Sequence, residues 1–343
     1  MTLSNQGLRT ARIPFVILIA GSICVLMAMG LRASQGLFLK PMSVDLGWGR
    51  EIFAFAMALQ NLVWGAVQPL AAAISEKWGT GRVIAGGGLL YAAGLYLMAS
   101  TSDPLSFHIT AGLLIGIAQS GSGLAVVLGV VGRAMPAEKR SWGLGIVTAA
   151  GAAGQFTVVP VGQIFLSQYG WSTSFLLLSM MALGIILCAV FLRSPVQSIT
   201  AVGGTPEIAL SETLRSASRD HSFWLLTAGF FVCGFHVAFI SVHLPAFLSD
   251  AGLPPETGAW SLTLIGFFNV IGSFTAGVLG GKFPKKYLLS TLYALRAIAI
   301  LLFIIFPITI PSVIIFSVLM GLLWLSTVPL TSGLVASMFG VRY

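Results

Sequence analysis

The chain has 343 residues, 57% of them hydrophobic and only 8% charged, far from soluble composition, in which about a quarter of residues carry charge. Its formal net charge of +8 would suit a nucleic-acid binder, but the basic residues sit in short segments between long apolar runs, where they report topology instead. Composition therefore excludes a soluble globular domain and makes the chain a polytopic membrane protein whose surroundings are a lipid bilayer.

A hydrocarbon core about 30 Å thick takes roughly 20 apolar residues per helix. Backbone groups inside it are satisfied only in helices or closed barrels, and uninterrupted apolar runs select helices. These runs predict ten: Pro14 to Leu39, Ile52 to Ile74, Val83 to Ser100, Leu105 to Val131, Trp142 to Leu166, Ser172 to Leu192, Phe223 to Leu248, Gly258 to Gly280, Tyr287 to Phe306 and Ile310 to Ser337. Arg9 and Arg12 precede the first run as in a signal peptide, but the run is too long and lacks a small-residue cleavage site, so it reads as a transmembrane helix. With the N-terminus in the cytoplasm, one side collects Lys77, Arg82, Arg133, Lys139, Arg140, Arg193, Arg215 and Arg219, and the opposite side holds only Lys40 and Arg50. That asymmetry predicts a plasma (inner) membrane protein with a cytoplasmic N-terminus.

Arg32 lies toward the outer end of the first helix. A charge at membrane depth costs roughly 2.5 to 3.5 kcal/mol on insertion scales, and such residues usually face the protein interior. Two readings stand: a guanidinium that holds an anion through paired hydrogen bonds, or an interfacial arginine that snorkels or pairs with Asp45. The second helix carries Gln60, Asn61, Trp64 and Gln68, which read either as interhelical hydrogen-bonding groups or as cavity lining. After it comes a polar turn with Glu76, Lys77, Trp78, Gly79 and Arg82, expected to be clamped by its acid and bases.

In the fourth helix Gly112, Gly116, Ser120 and Gly123 strip one face of bulk for close helix packing, while Gln119 and Ser122 beside it are candidate cavity groups. The fifth repeats the pattern with Gly143, Gly151 and Gly154, and Pro160 is expected to bend it. Arg193 to His221 is polar and too short of apolar residues to span, which predicts a linker and the division 1–192, 193–221 and 222–343. In the seventh helix His236 and His243 are seven residues apart, nearly on one face. They read either as a proton-coupling pair or as neutral hydrogen-bonding groups.

Asn269 in the eighth helix has the same two readings as Gln60. A second polar turn holds Lys282, Pro284, Lys285 and Lys286, and Arg296 falls near the midplane of the ninth helix, where pairing, carbonyl capping and substrate contact are all open. The tenth brings Trp324, Ser326, Thr327 and Pro329 to the expected cavity wall. Cys24, Cys188 and Cys233 lie singly in apolar helices and read as small buried hydrophobes without a disulfide framework. There is no Walker loop, His-Glu-x-x-His or Ser-His-Asp arrangement, so no enzyme activity, cofactor or metal is expected.

The two polar turns resemble the loop between the second and third helices of each half of major facilitator superfamily transporters, whose pattern is Gly-x-x-x-Asp-Arg-x-Gly-x-Arg-Arg. In the first copy Ala72, Glu76 and Lys77 replace Gly, Asp and Arg; in the second Gly281 and Pro284 replace Asp and Gly. Gly36-Leu-Phe38-Leu-Lys-Pro41 followed by Leu46-Gly-Trp48 is similar to the bacterial branch related to monocarboxylate porters and oxalate-formate antiporters. Gly151 to Gln155 with Pro160, Gly170-Trp171 and Pro329 to Gly333 agree with it.

The resemblance implies an all-α fold of a six-helix N-terminal bundle and, as far as the sequence runs, an incomplete four-helix C-terminal bundle, since the superfamily has two six-helix halves. It further implies a secondary transporter of a small organic anion, a carboxylate, working by alternating access with a proton or counter-anion as the coupled ion. Arg32, Gln119, His236 and Trp324 are then the expected substrate-binding residues. Glu76, Lys77, Gly79, Arg82, Lys282, Lys285 and Lys286 are the expected gating residues. Drug or metabolite efflux, and a non-transporting membrane sensor or partner subunit, remain open as alternatives.

Overall fold

The computed structural model describes residues 3–136, 139–192 and 219–339, so most of the expected linker lies outside the described residues. Among the described residues all regular structure is helical. Helix α1 (Leu3–Ser34) passes through a 3-10 turn, Gln35–Phe38, into α2 (Leu39–Asp45). Then follow α3 (Arg50–Trp78), α4 (Thr80–Met98) and α5 (Pro104–Phe107), which leads through a π-helical turn, His108–Leu114, into α6 (Ile115–Ser122) and α7 (Leu124–Ala134). The remainder is α8 (Arg140–Phe191), α9 (His221–Asp250), α10 (Glu256–Lys282), α11 (Lys285–Ile305), α12 (Ile310–Leu323) and α13 (Thr327–Phe339).

Among the described residues nine stretches are long and apolar enough to span a bilayer, against the ten that the sequence predicts. The fifth and sixth expected helices run together as one apolar stretch, Trp142–Phe191, of 50 residues. At 1.5 Å per residue that is about 75 Å, two crossings. The backbone leaves helical dihedrals within α8 at Gly170 (φ 74°) and not at Pro160. A left-handed φ is one that glycine adopts without a Cβ penalty.

Local chemistry sets several of the boundaries. Asp103 caps α5 by accepting the Ser106 backbone N–H at 2.9 Å, with Pro104 in the first turn. That hydrogen bond, with a second from the Ser106 hydroxyl, holds the Asp103 carboxyl below its ordinary range. The α3–α4 turn closes on Gly79, at φ 91°, whose N–H donates to the Ser75 carbonyl at 3.1 Å.

Contacts divide the chain into two compact units. The first comprises the described residues up to 192 together with Ser241–Thr263. In it α1 lies directly on α8: a Cβ on Gly154 would run into the Leu26 carbonyl, and one on Gly30 would come within 2.7 Å of Val158 Cβ. The glycine face predicted in the fourth helix packs against α3, where a Cβ on Gly116 would stand 2.9 Å from the Gln60 carbonyl oxygen. At one end of this unit Lys40 pairs with Asp250 at 3.0 Å, Arg50 pairs with the same carboxylate, and Trp171 Nε1 donates to Asp45 at 2.6 Å.

The second unit comprises residues 219–240 and 264–339 among those described. A Cβ on Gly272 would run into the Leu322 carbonyl, and Phe303 stacks on Phe316 with ring centroids 4.1 Å apart. Phe231 and Phe274 are 72% and 74% exposed, which suits a hydrocarbon surrounding rather than water.

Each unit contains a helix interrupted within its span. Between α6 and α7 the chain extends at Gly123 (φ −77°, ψ 177°), and between α12 and α13 it unwinds across Trp324, Leu325 and Ser326. Pro329, in the first turn of α13, has no N–H to return to Leu325 and its ring crowds that carbonyl, so the helix restarts here rather than running through.

Candidate substrate site and gate

Arg32 occupies the last turn of α1 and is partly buried. Its Nη2 donates to Asn61 Oδ1 at 2.7 Å, and its guanidinium lies 5.0 Å from the centroid of the Trp64 ring. Asp45, the alternative partner, instead accepts from Trp171. Among the described residues Arg32 has no acidic partner. The positive charge is therefore steadied by a neutral amide and an aromatic face, and four of its five N–H groups are unclaimed by any other described residue.

Trp64 is fixed in turn by Nε1 donation to Gln68 Oε1 at 2.9 Å, and Gln68 Nε2 donates to the Ser120 carbonyl at 3.3 Å beside the α6–α7 break. Gln119 donates to the Tyr91 hydroxyl at 3.5 Å, and its Oε1 is buried with no partner among the described residues. Tyr91 is fully buried and lies within electrostatic range of Arg32. The structure thus brings together Arg32, Asn61, Trp64, Gln68, Gln119 and Tyr91, from α1, α3, α4 and α6. Gln60 is not part of this cluster; it donates to the Ala111 carbonyl at 3.0 Å and ties α3 to the π-helical turn.

A cavity of about 800 Å³ lies at the α2 end of the first unit, lined by Lys40, Asp45, Gln163, Trp171, Ser249 and Glu256 among others, and does not include Arg32. Lys40 there is held by Asp250 at 3.0 Å and by Ser249 Oγ at 2.8 Å.

The other expected substrate residues lie in the second unit. His236 is partly buried, with Nδ1 unbonded among the described residues and Arg296 within electrostatic range. His243, on the same helix, belongs to the first unit and lies within range of Arg50, so the two histidines have different charged neighbours. Trp324 is 2% exposed and sits at the α12–α13 break. Arg296 is fully buried, donates through Nη2 to the carbonyls of Leu323 and Trp324, the latter at 2.6 Å, and stands 5.7 Å from the Tyr293 ring. Of its open readings, the structure shows carbonyl capping.

The charge clamp expected in the first polar turn is not made. Glu76 and Lys77 are exposed, and among the described residues Glu76 forms no ion pair. The turn is held by Gly79, by Arg82 Nη1 donating to the Trp78 carbonyl at 3.4 Å, and by Arg133 Nη2 donating to Thr80 Oγ1 at 3.2 Å. The physical reason is exposure: a solvated ion pair contributes little, whereas backbone conformation and hydrogen bonds to the turn act regardless of screening. In the second turn Lys282 is exposed, Lys286 lies 4.8 Å from the Tyr287 ring, and the Lys285 stem covers Gly333.

Sequence reasoning missed Tyr91 and Asp250. Tyr91 is the one tyrosine among the small residues of Gly86 to Gly94, a usable signal. Asp250 is an acid at a helix end opposite the only two basic residues predicted on that side.

A family model described as Major Facilitator Superfamily matches residues 21–343. Monocarboxylate transporter 3 of Rattus norvegicus is 23% identical over 74% of this chain and 52% of its own length. Monocarboxylate transporter 11 of Mus musculus is 28% identical over 74% of this chain and 56% of its own. The chain thus spans about half the length of these relatives. YcxA of Bacillus subtilis (strain 168), described as an MFS-type transporter, is 23% identical over 91% of this chain and 79% of its own length. Among solved structures, a bacterial homologue of the human lysosomal transporter Spinster in an inward-facing, occupied conformation superposes with a TM-score of 0.69 at 13% identity, covering 94% of this chain and 74% of that one. A D-xylose-proton symporter gives 0.66 at 16% identity, covering 94% and 83%.

Proposed function

We propose a function from one premise: this chain belongs to the major facilitator superfamily. On our reading it is a secondary transporter of a small organic anion, a carboxylate, that works by alternating access in the cell membrane with its N-terminus in the cytoplasm. The observation that carries the reading is Arg32. A guanidinium in a membrane helix, with no acidic partner among the described residues and most of its donors unclaimed, is an incomplete ion pair, and a carboxylate completes it in fork geometry. Asn61 and Trp64 orient the fork, and Gln119 Oε1 offers an acceptor to a substrate donor. The monocarboxylate transporters that the chain resembles support this class by their names.

In this reading the Gly79 and Lys285 turns act in gating on the cytoplasmic side, Lys40 and Arg50 with Asp250 form a contact on the outer side that parts during the cycle, and His236 is the candidate for proton coupling. The test is counterflow in proteoliposomes loaded with short-chain monocarboxylates, dicarboxylates or neutral sugars. Carboxylate exchange dependent on Arg32 supports the reading. Exchange of neutral solutes alone, or binding without any flux, would replace it with an efflux carrier or a sensor.

A further inference from the structure

Independently of what the protein carries, we propose that Arg296 and the break in the tenth membrane helix form a single device, in which the broken helix is the counter-charge of the buried arginine and the arginine keeps the helix broken. Arg296 is 0% exposed and has no acidic partner among the described residues. Arginine does not shed its proton in proteins, so the charge must be met by dipoles. Breaking α12 at Leu323 creates a helix C-terminus equivalent to about −0.5 charge, and the guanidinium sits on it, Nη2 donating to the carbonyls of Leu323 and Trp324.

The opposite polarity is met from another helix: Leu325 N–H donates to Asn269 Oδ1 at 3.1 Å. Ser326 Oγ takes the Leu322 carbonyl at 2.6 Å, and Cys233 Sγ lies 3.0 Å from Thr327 Oγ1. The carbonyls of 322 to 324 and the N–H of Leu325 thus all have partners, as a buried unwound turn requires, and three neighbouring helices supply Arg296, Asn269 and Cys233. A continuous helix would draw those carbonyls back into its own ladder and strand the cation. Arg296 is accordingly a positioning residue: it fixes where the helix breaks, and through that the placement of Trp324 and α13.

The dependence is mutual, and a two-by-two cycle tests it. Pro329→Ala removes the residue that opposes a continuous helix; Arg296→Met removes the cation while keeping its stem. Each variant is reconstituted as the whole chain in nanodiscs, and melting temperature and amide exchange are followed. Pro329→Ala should lower the melting temperature by several degrees when Arg296 is present and leave it unchanged or raised in the Arg296→Met background. Arg296→Met should speed exchange about tenfold or more at residues 323–328 only, with the Gly123 break in the other unit unaffected, and Arg296→Lys should fall between because an ammonium lacks the fork. If Arg296→Met yields no folded protein, the same cycle is run with Arg296→Lys. Additive effects of the two substitutions, exchange spread evenly over the second unit, or no change at residues 323–328 would each overturn the proposal.

Discussion

Replacing Arg32 by Met should weaken carboxylate binding severely and leave the fold at least as stable as before. Among the described residues the guanidinium makes one hydrogen bond, to Asn61 at 2.7 Å, and one ring contact, with Trp64 at 5.0 Å. Interhelical hydrogen bonds in membranes average about 0.6 kcal/mol, and removing a charge that has no acidic partner among the described residues returns an amount of the same order or larger. The melting temperature should therefore stay level or rise. Two hydrogen bonds from an ionised donor to a bound carboxylate contribute about 1.5 kcal/mol or more each, so losing both raises Kd roughly a hundredfold or more. Arg32→Lys keeps the charge without the fork and should cost about one of them, roughly tenfold. Equilibrium binding of radiolabelled short-chain monocarboxylates to nanodisc-reconstituted protein, alongside thermal unfolding, separates the outcomes. Unchanged binding by Arg32→Met would remove the residue from the site, and a loss of binding accompanied by a melting temperature several degrees lower would make Arg32 a strut instead.

Asp250→Asn breaks the contacts to both Lys40 and Arg50; each is a partly exposed pair contributing at most about 1 kcal/mol, so labelling of a cysteine introduced at Ser249 should become a few times faster, and high salt should do the same to the unsubstituted protein. Equal labelling in all cases would show that the carboxylate holds nothing. Gly79→Val places a β-branched residue at φ 91°, ψ 135°, a backbone penalty of about 1 to 3 kcal/mol with no clash to add, since nothing lies within 4 Å of that Cβ; exchange flux should fall with ligand affinity intact, and a loss of affinity would contradict a gating role. Gly154→Val should drive a side chain into the Leu26 carbonyl and part α1 from α8, seen as a collapse of folded yield in size-exclusion chromatography; normal yield would mean that the two helices do not need this approach.

Much of this architecture was legible because the bilayer restricts the alternatives. Apolar run length located the helices, and the glycine spacing of Gly112 and Gly116 located the face that meets α3. The boundary expected between Leu166 and Ser172 contains Gly170, where a single left-handed residue turns the chain without a long polar segment, so the two crossings read as one apolar stretch. Arg32 stood out as a charge in an apolar helix, but whether Asp45 or Asn61 received it depends on contacts between residues distant in sequence. The clamp expected from Glu76 failed for the converse reason: neighbours in sequence, when solvated, gain too little from pairing to hold one geometry. Tyr91 stood alone among small residues with no polar pattern around it, and its burial beside Gln119 shows what it joins.

The buried position of Arg296 also bears on how the chain is made. Its carbonyl partners, Leu323 and Trp324, follow it by 27 and 28 residues, about one helix and a turn, and so are still inside the ribosome when α11 first reaches the translocon. An arginine at the centre of a lone helix costs roughly 2.5 to 3.5 kcal/mol to release into lipid, whereas α12, with Val, Ile, Leu and Phe and no charged residue, enters readily. The ninth helix should therefore wait at the lateral gate until the tenth emerges, and the two should leave as a hairpin. A ribosome stalled with α11 outside its exit tunnel and Trp324 still inside should leave α11 retained beside the channel, and one stalled with both outside should not.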